Sequence, residues 1–191
     1  MMEKNPDALA ARIAEHTRTP RRPEAPHGDD SCREFAIRIA RDGTWFYHGS
    51  PIGRKPLVKL FASVLRRDDE GAYWLVTPAE RGKIQVDDAP FAAVELRVNG
   101  EGEDRALVFR TNVDDEVTVD ESHPIRVETD AATGEPSPYV RVRDGLEARM
   151  TRAVFYQLVD LGETRRIAGE PVFGVVSRGA FFAIGQAGES W

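Results

Sequence analysis

The alternation of apolar and polar residues along the chain predicts a protein rich in β-strands. Phe35, Ile37 and Ile39 alternate with polar residues, which is the pattern of a strand with one buried face. Asp42-Gly43 follows as a strong hairpin-turn signal. The predicted strands are 34–40, 44–48, 72–77, most of 82–144, and a terminal hairpin of 172–176 and 180–184.

Three segments have the spacing of helices. The clearest covers residues 56–67, where apolar side chains fill one arc and a basic stripe of Lys55, Lys59 and Arg66 lies opposite. Two further helices are predicted over residues 6–16 and 151–161. Residues 17–31 contain three prolines and are predicted to form an irregular linker, and residues 162–169 are predicted to form a loop.

The order of these elements suggests an internal structural repeat. Strands, a glycine turn, a helix and an aromatic strand occur over residues 44–77 and again over 139–176. We therefore predict an α+β protein with two β-rich subdomains, whose antiparallel sheets are each covered by one main helix. The predicted domains are an N-terminal helix with an irregular linker (1–31), a first β-β-α-β subdomain (32–88) and a second β-rich subdomain with one helix (89–188).

The composition is that of a globular protein. The chain has 191 residues, of which 41% are hydrophobic and 30% are charged, unlike a disordered chain. Its one cysteine, Cys32, excludes an intramolecular disulfide and a cysteine-rich zinc site. No apolar run approaches the roughly 20 residues that cross a bilayer, and the first residues lack the apolar segment of a signal peptide. We therefore expect a cytoplasmic protein without a membrane partner.

The net charge of −6 hides an asymmetry along the chain. Residues 31–67 hold eight cations and two anions, whereas residues 68–135 hold six cations and 18 anions. Two interpretations are open. The basic and acidic stretches can neutralise each other within the fold, or the basic stretch can form a surface that attracts an anionic ligand.

The start of the predicted helix at Pro56 is the most informative local feature. Proline favours the first helical position, so Arg54 and Lys55 precede the helix and Lys59 lies in its first turn. The N-terminus of a helix carries a partial positive charge, so cations there are unfavourable unless an anion binds beside them. The alternative is that these side chains extend into solvent or pair with the acidic stretch. The candidate anion site consists of His48, Ser50, Arg54, Lys55 and Lys59.

Four residues are secondary candidates for ligand contact: Asp87, Asp88, His123 and Arg126. Asp87 and Asp88 also fit a turn. His123 has the chemistry of a general base or a metal ligand, but it precedes a proline and also fits a structural turn. The acidic run over 112–121 lacks the spacing of a calcium loop and fits a solvated strand face. We predict no metal and no cofactor, since the chain has no Walker A or Gly-x-Gly-x-x-Gly motif.

Several long motifs, spread in order over most of the chain, carry a family resemblance. They are Gly43–Leu65, Tyr73–Pro78, Val86–Phe91, Thr111-Asn112, His123–Arg126 and Leu146–Ala148. Together they resemble a family of uncharacterised bacterial proteins, a domain of unknown function in the proteobacteria. The resemblance implies a mixed α and β architecture in two subdomains with repeated structural motifs. It also implies a role in signalling or regulation, and it brings no catalytic residue or cofactor.

We expect a cytoplasmic ligand-binding or regulatory module with no catalysis of its own. The alternative is an enzyme that acts on a phosphorylated or carboxylated metabolite, in which Arg54 and Lys55 hold the anion and His48 or His123 moves protons. Nucleic-acid binding through the basic stripe of Lys55, Lys59 and Arg66 with Arg67 is disfavoured by the net charge of −6 and by the lack of a recognisable motif. The expected partner is an anionic small molecule, and a protein partner stays open.

Overall fold

A computed structural model describes residues 5–17, 34–78 and 80–186. Contacts between Cα atoms divide the chain into two units, residues 1–90 and residues 91–191. Each unit is built around one six-stranded sheet, and the second unit adds a three-stranded sheet. Cys32 and nearly all of the predicted linker lie outside the described residues.

The first unit contains two helices, α1 (Pro6–Thr17) and α2 (Lys55–Ser63). Its sheet has the strand order β3-β2-β1-β6-β5-β4, in which β1 and β6 are parallel neighbours and the other adjacent pairs are antiparallel. The strands are β1 (Glu34–Ile39), β2 (Trp45–Tyr47), β3 (Ser50–Pro51), β4 (Leu65–Arg67), β5 (Tyr73–Val76) and β6 (Arg81–Val86).

Helix α2 packs on the apolar face of this sheet. Phe61 is fully buried and stacks on Trp45 of β2, with 6.2 Å between the ring centroids. Helix α2 ends at Ser63, earlier than the predicted residue 67, because Leu65 turns into the sheet and pairs with Leu75. Leu65 is buried and fits the apolar spacing of either element, so the local pattern could not separate the helix from the strand.

The second unit has a six-stranded sheet in the order β10-β11-β12-β7-β8-β9, with β12 and β7 parallel. Its strands are β7 (Phe91–Asn99), β8 (Ala106–Thr111), β9 (Glu116–Thr118), β10 (Ile125–Thr129), β11 (Pro136–Arg143) and β12 (Leu146–Met150). Helix α3 (Arg152–Asp160) packs against β7. The antiparallel strands β13 (Glu163–Ile167), β14 (Glu170–Ser177) and β15 (Ala180–Gln186) form the three-stranded sheet.

The two six-stranded sheets share one topology. In each sheet the first three strands form one meander, the last three form another, and the first and sixth strands pair in parallel at the centre. The predicted two-part α+β fold with a structural repeat is therefore confirmed. Two details of the prediction are wrong. The sheets are mixed and not purely antiparallel, and the repeat does not match α2 with α3, because α2 follows the third strand of its sheet and α3 the sixth.

The repeat extends to side chains on one face of each sheet. An aromatic residue of the fifth strand lies opposite a cation on the fourth strand and opposite another on the sixth. Residues directly opposite in an antiparallel pair share a face. The matching triplets are Arg66, Trp74 and Lys83 in the first sheet and Arg126, Tyr139 and Arg149 in the second.

The β13–β14 turn holds an alanine in a conformation that favours glycine. Ala168 has φ 52° and is followed by Gly169 at φ 92°. The left-handed conformation costs an L-residue about 1 kcal/mol or more. Ala168→Gly is therefore expected to raise the free energy of unfolding by about 0.5 kcal/mol, measured by urea denaturation. Ala183→Gly, at an exposed position inside β15, is the control and should lower it, and equal effects of the two changes would contradict this explanation.

Candidate functional site

At the start of helix α2, a carboxylate from the protein itself already pairs with one of the predicted cations. Arg54 caps the helix in an extended conformation, and its guanidinium forms an ion pair with Asp7 in the first turn of α1. The Arg54 side chain is 70% exposed. Lys55 and Lys59 are exposed on α2. Sequence reasoning missed Asp7 because it lies 47 residues away from Arg54 along the chain.

His48 and Ser50 belong to the edge formed by β2 and β3. His48 lies in the tight turn between these strands at φ 46°, and its ring contacts the Tyr47 ring edge-on at 4.5 Å between centroids. Ser50 is exposed in β3. Of the five residues in the candidate anion site, only His48 lines a groove that lies beside β1 in the first unit, as far as the described residues show.

This groove runs along β1, β2 and β6 and has a volume of about 800 Å³. The turn between β4 and β5 contributes Glu70 and Gly71 to it. Arg38 of β1 lies opposite Phe46 of β2 and beside Gln85 of β6. We call it the sheet groove, and its polar and aromatic side chains include those of Glu34, Arg38, Phe46, His48, Glu70, Lys83 and Gln85.

Arg38 and Lys83 differ in their availability to a ligand. The Arg38 guanidinium donates from Nε to Oδ1 of Asp87 at 3.0 Å and from Nη2 to Oδ2 at 2.7 Å. These bonds lower the pKa of the Asp87 carboxyl and raise that of Arg38. Lys83 is exposed, and within the described part of the chain it has no ion pair or hydrogen-bond partner. Lys83 is therefore the available cation of the sheet groove.

Both units of the chain match models of one family. Residues 26–89 match the "Domain of unknown function (DUF1285), N-terminal domain", and residues 90–184 match the "Protein of unknown function (DUF1285), C-terminal domain". The chain belongs to the DUF1285 family. The resemblance to a proteobacterial domain of unknown function, predicted from the sequence motifs, is thereby confirmed.

Two solved DUF1285 structures are similar to this chain. A DUF1285 family protein from Silicibacter pomeroyi DSS-3 is 41% identical over 97% of both chains, with a TM-score of 0.78. A DUF1285 family protein from Shewanella baltica OS155 is 27% identical over 66% of this chain and 91% of its own, with a TM-score of 0.53. No curated protein matches the chain. The comparisons thus establish the family and name no ligand.

The secondary candidates of the first DUF1285 unit are held in ion pairs. Asp87 is bound by Arg38, as described above, and Asp88 accepts a hydrogen bond from Nε of Arg41 at 3.2 Å. Both pairs join the basic stretch to the acidic one. The first interpretation of the charge asymmetry, mutual neutralisation within the fold, is confirmed for these two pairs.

The secondary candidates of the second DUF1285 unit also have partners. Nδ1 of His123 lies 3.0 Å from Oδ1 of Asp120, in the turn between β9 and β10. Arg126 donates two hydrogen bonds to the Glu147 carboxylate, at 3.1 and 2.7 Å, and these bonds raise its pKa. Its guanidinium also lies over the Tyr139 ring. The structure therefore keeps His123 and Arg126 in separate structural pairs.

The acidic run over 112–121 does not form the predicted solvated strand face, because residues 112–115 make the turn between β8 and β9 and only Glu116–Thr118 is a strand. Asp114 pairs with Arg110 at 3.2 Å, and Asp115 pairs with Arg143 at 2.9 Å. Across residues 5–17, 34–78 and 80–186, no cluster of three or more histidine, cysteine, aspartate or glutamate side chains is placed to hold a metal ion. Among the same residues, no helix is long and apolar enough to span a membrane.

Proposed function

We propose that this DUF1285 chain is a cytoplasmic ligand-binding or regulatory module, and that its first unit binds a small ligand with an anionic group in the sheet groove. The observation that carries the proposal is the exposed Lys83, which has no described partner in a groove of about 800 Å³. A volume of this size is typical of small-molecule sites. The ammonium of Lys83 would bind a carboxylate or phosphate group by charge-assisted hydrogen bonds.

The other side chains of the sheet groove limit the chemistry of the ligand. Phe46 offers a half-buried ring on which an apolar or planar part can pack. Gln85 offers both a donor and an acceptor. Glu34 and Glu70 are carboxylates without a described partner, so they favour N–H or O–H donors on the ligand and disfavour further negative charge near them. A ligand with one anionic group, one apolar part and additional donors fits this set.

The sheet groove is favoured over the start of helix α2. Asp7 already offsets the charge of Arg54 there, and the exposed pair is screened by solvent, so little electrostatic attraction is left for a ligand. Ser50, Lys55 and Lys59 do not line the sheet groove in the described structure. His48 is the residue of the candidate anion site that the proposal retains.

The cytoplasmic part of the proposal is supported by the cysteine count, and the regulatory part by the family resemblance. A chain with one cysteine cannot form an intramolecular disulfide, which suits the reducing cytoplasm. The regulatory role depends on the family resemblance. It requires that ligand binding changes the stability or the partners of the module, because a ligand acts on a protein only through a difference in affinity between states.

Lys83→Gln is expected to weaken binding of a fluorescent anion to the sheet groove. The probe is 1-anilinonaphthalene-8-sulfonate, which combines a planar apolar body with a single negative charge. Loss of one charge-assisted contact should raise its dissociation constant about tenfold, because such bonds contribute roughly 1.5 kcal/mol or more. The measurement is fluorescence titration of the full chain at constant ionic strength.

Lys59→Gln is the matched control, because it removes an exposed cation of α2 outside the sheet groove. The dissociation constant of the fluorescent probe should be the same for this variant as for the unmodified chain. Equal affinity of Lys83→Gln and the unmodified chain would refute the groove, and a loss confined to Lys59→Gln would move the site to the helix start. Competition by acetate and by inorganic phosphate then separates carboxylate from phosphate ligands.

A further inference from the structure

The second unit has a pocket of its own, with a volume of about 540 Å³. It is built from the segment before β8, the middle of β13 and the turn between β14 and β15. None of its residues is among the candidates drawn from the sequence. We call it the arginine pocket, and it is lined by Gly102, Arg105, Glu163, Arg165, Val176 and Gly179.

Local hydrogen bonds fix the position of Arg105 at the arginine pocket. Its Nε donates to the carbonyl oxygen of Val176 in β14 at 3.1 Å. Its own carbonyl oxygen accepts a bond from the backbone N–H of Arg178 at 2.7 Å. The guanidinium is thus oriented by a bond that uses only Nε. Among the described residues, neither of its terminal nitrogens has a partner.

Arg165 is positioned in a similar way on β13. Its Nε donates to Oε1 of Glu163 at 2.5 Å, and its guanidinium lies 5.1 Å from the centroid of the Phe181 ring. Within the described structure its terminal nitrogens, too, have no hydrogen-bond acceptor. The arginine pocket therefore contains two guanidinium groups, each anchored through Nε and each with both terminal nitrogens available.

The charge of these groups identifies the class of ligand. Two guanidinium groups face one carboxylate, that of Glu163, so the lining side chains carry a net positive charge. The terminal nitrogens of arginine form a planar fork that matches the oxygens of carboxylate and phosphate groups. We propose that the arginine pocket binds a small oxyanion, either free or as the phosphate or carboxylate group of a larger ligand. This site is in the second unit and does not depend on the sheet groove.

The test is a titration of the full chain with inorganic phosphate, in which the arginine Nε–Hε signals are monitored by nuclear magnetic resonance. Ionic strength is held constant with sodium chloride. The Arg105 signal should shift and saturate. Arg165→Gln should raise the dissociation constant for phosphate about tenfold, since it removes one charged donor fork. Arg105→Lys keeps the charge but loses the fork, and should also weaken binding.

Arg166→Gln is the matched control. Arg166 is the next residue on β13, is also exposed, and does not line the arginine pocket. Its dissociation constant should equal that of the unmodified chain. A signal that does not saturate, or equal affinity of Arg165→Gln and Arg166→Gln, would overturn the proposal. A parallel titration with acetate tells a carboxylate preference from a phosphate preference. Should Arg105→Lys fail to fold, the Arg165 and Arg166 variants still decide the result.

Discussion

Phe61→Ala is expected to lower the free energy of unfolding by about 3–5 kcal/mol, the largest effect of any change considered for the first unit. Phe61 is fully buried and stacks on Trp45, so it joins helix α2 to the sheet. Its removal takes the ring's apolar contacts away and leaves a cavity that the sheet cannot close. The measurement is urea denaturation monitored by circular dichroism.

The control for this prediction is Lys59→Ala, on an exposed position of the same helix. Surface substitutions of this kind change stability by about 0.5 kcal/mol or less. A similar loss in both variants would mean that the buried Phe61 ring contributes no more to stability than an exposed side chain of the same helix. A loss in Phe61→Ala of less than 1 kcal/mol would show that α2 is not held by this contact.

Ser177→Ala is expected to lower the free energy of unfolding by about 2–4 kcal/mol, because it leaves two buried backbone groups without partners. Ser177 is fully buried at the end of β14. Its hydroxyl donates to the carbonyl oxygen of Val119 at 2.7 Å and accepts from the N–H of Leu107 at 3.0 Å. One side chain thus joins the three-stranded sheet to the six-stranded sheet of the second unit.

Ser63→Ala is the control for this change. The Ser63 hydroxyl donates to the carbonyl oxygen of Leu60 at 2.7 Å, but it is exposed, so water replaces the lost partner. Its effect on unfolding in urea should stay within about 0.5 kcal/mol. If the Ser177 variant unfolds at the same urea concentration as the Ser63 variant, the bridging role of Ser177 is refuted.

Two elements with a clear local period were predicted nearly to the residue. The strand predicted over 34–40 is β1 (Glu34–Ile39), and the helix predicted over 151–161 is α3 (Arg152–Asp160). In both, one face is buried against a sheet or a helix, and the spacing of apolar residues along the sequence shows which face is buried. The predicted loop over 162–169, by contrast, contains β13, whose side chains are all exposed and therefore show no period.

Features set by contacts distant in sequence could not be predicted. The parallel pairing of β1 with β6 brings Ile39 beside Val86, and a strand's own pattern does not tell which neighbour it has or in which direction. The same holds for the site. Arg54 forms an ion pair with Asp7, and the sequence around Arg54 does not predict this contact. Lys83 alternates with buried residues like any solvent-facing strand position, so only the groove around it distinguishes it.

The shared topology of the two six-stranded sheets allows a comparison of equivalent positions. Lys83 of the first sheet corresponds to Arg149 of the second, because each lies opposite the aromatic residue of the fifth strand. Arg149 donates to the hydroxyl of Ser137 at 3.1 Å and lies 5.9 Å from the centroid of the Tyr139 ring. The repeated fold thus uses one cation for contacts within its sheet, while the equivalent cation has no partner among the described residues. A binding role can therefore evolve in one unit without destabilising the other.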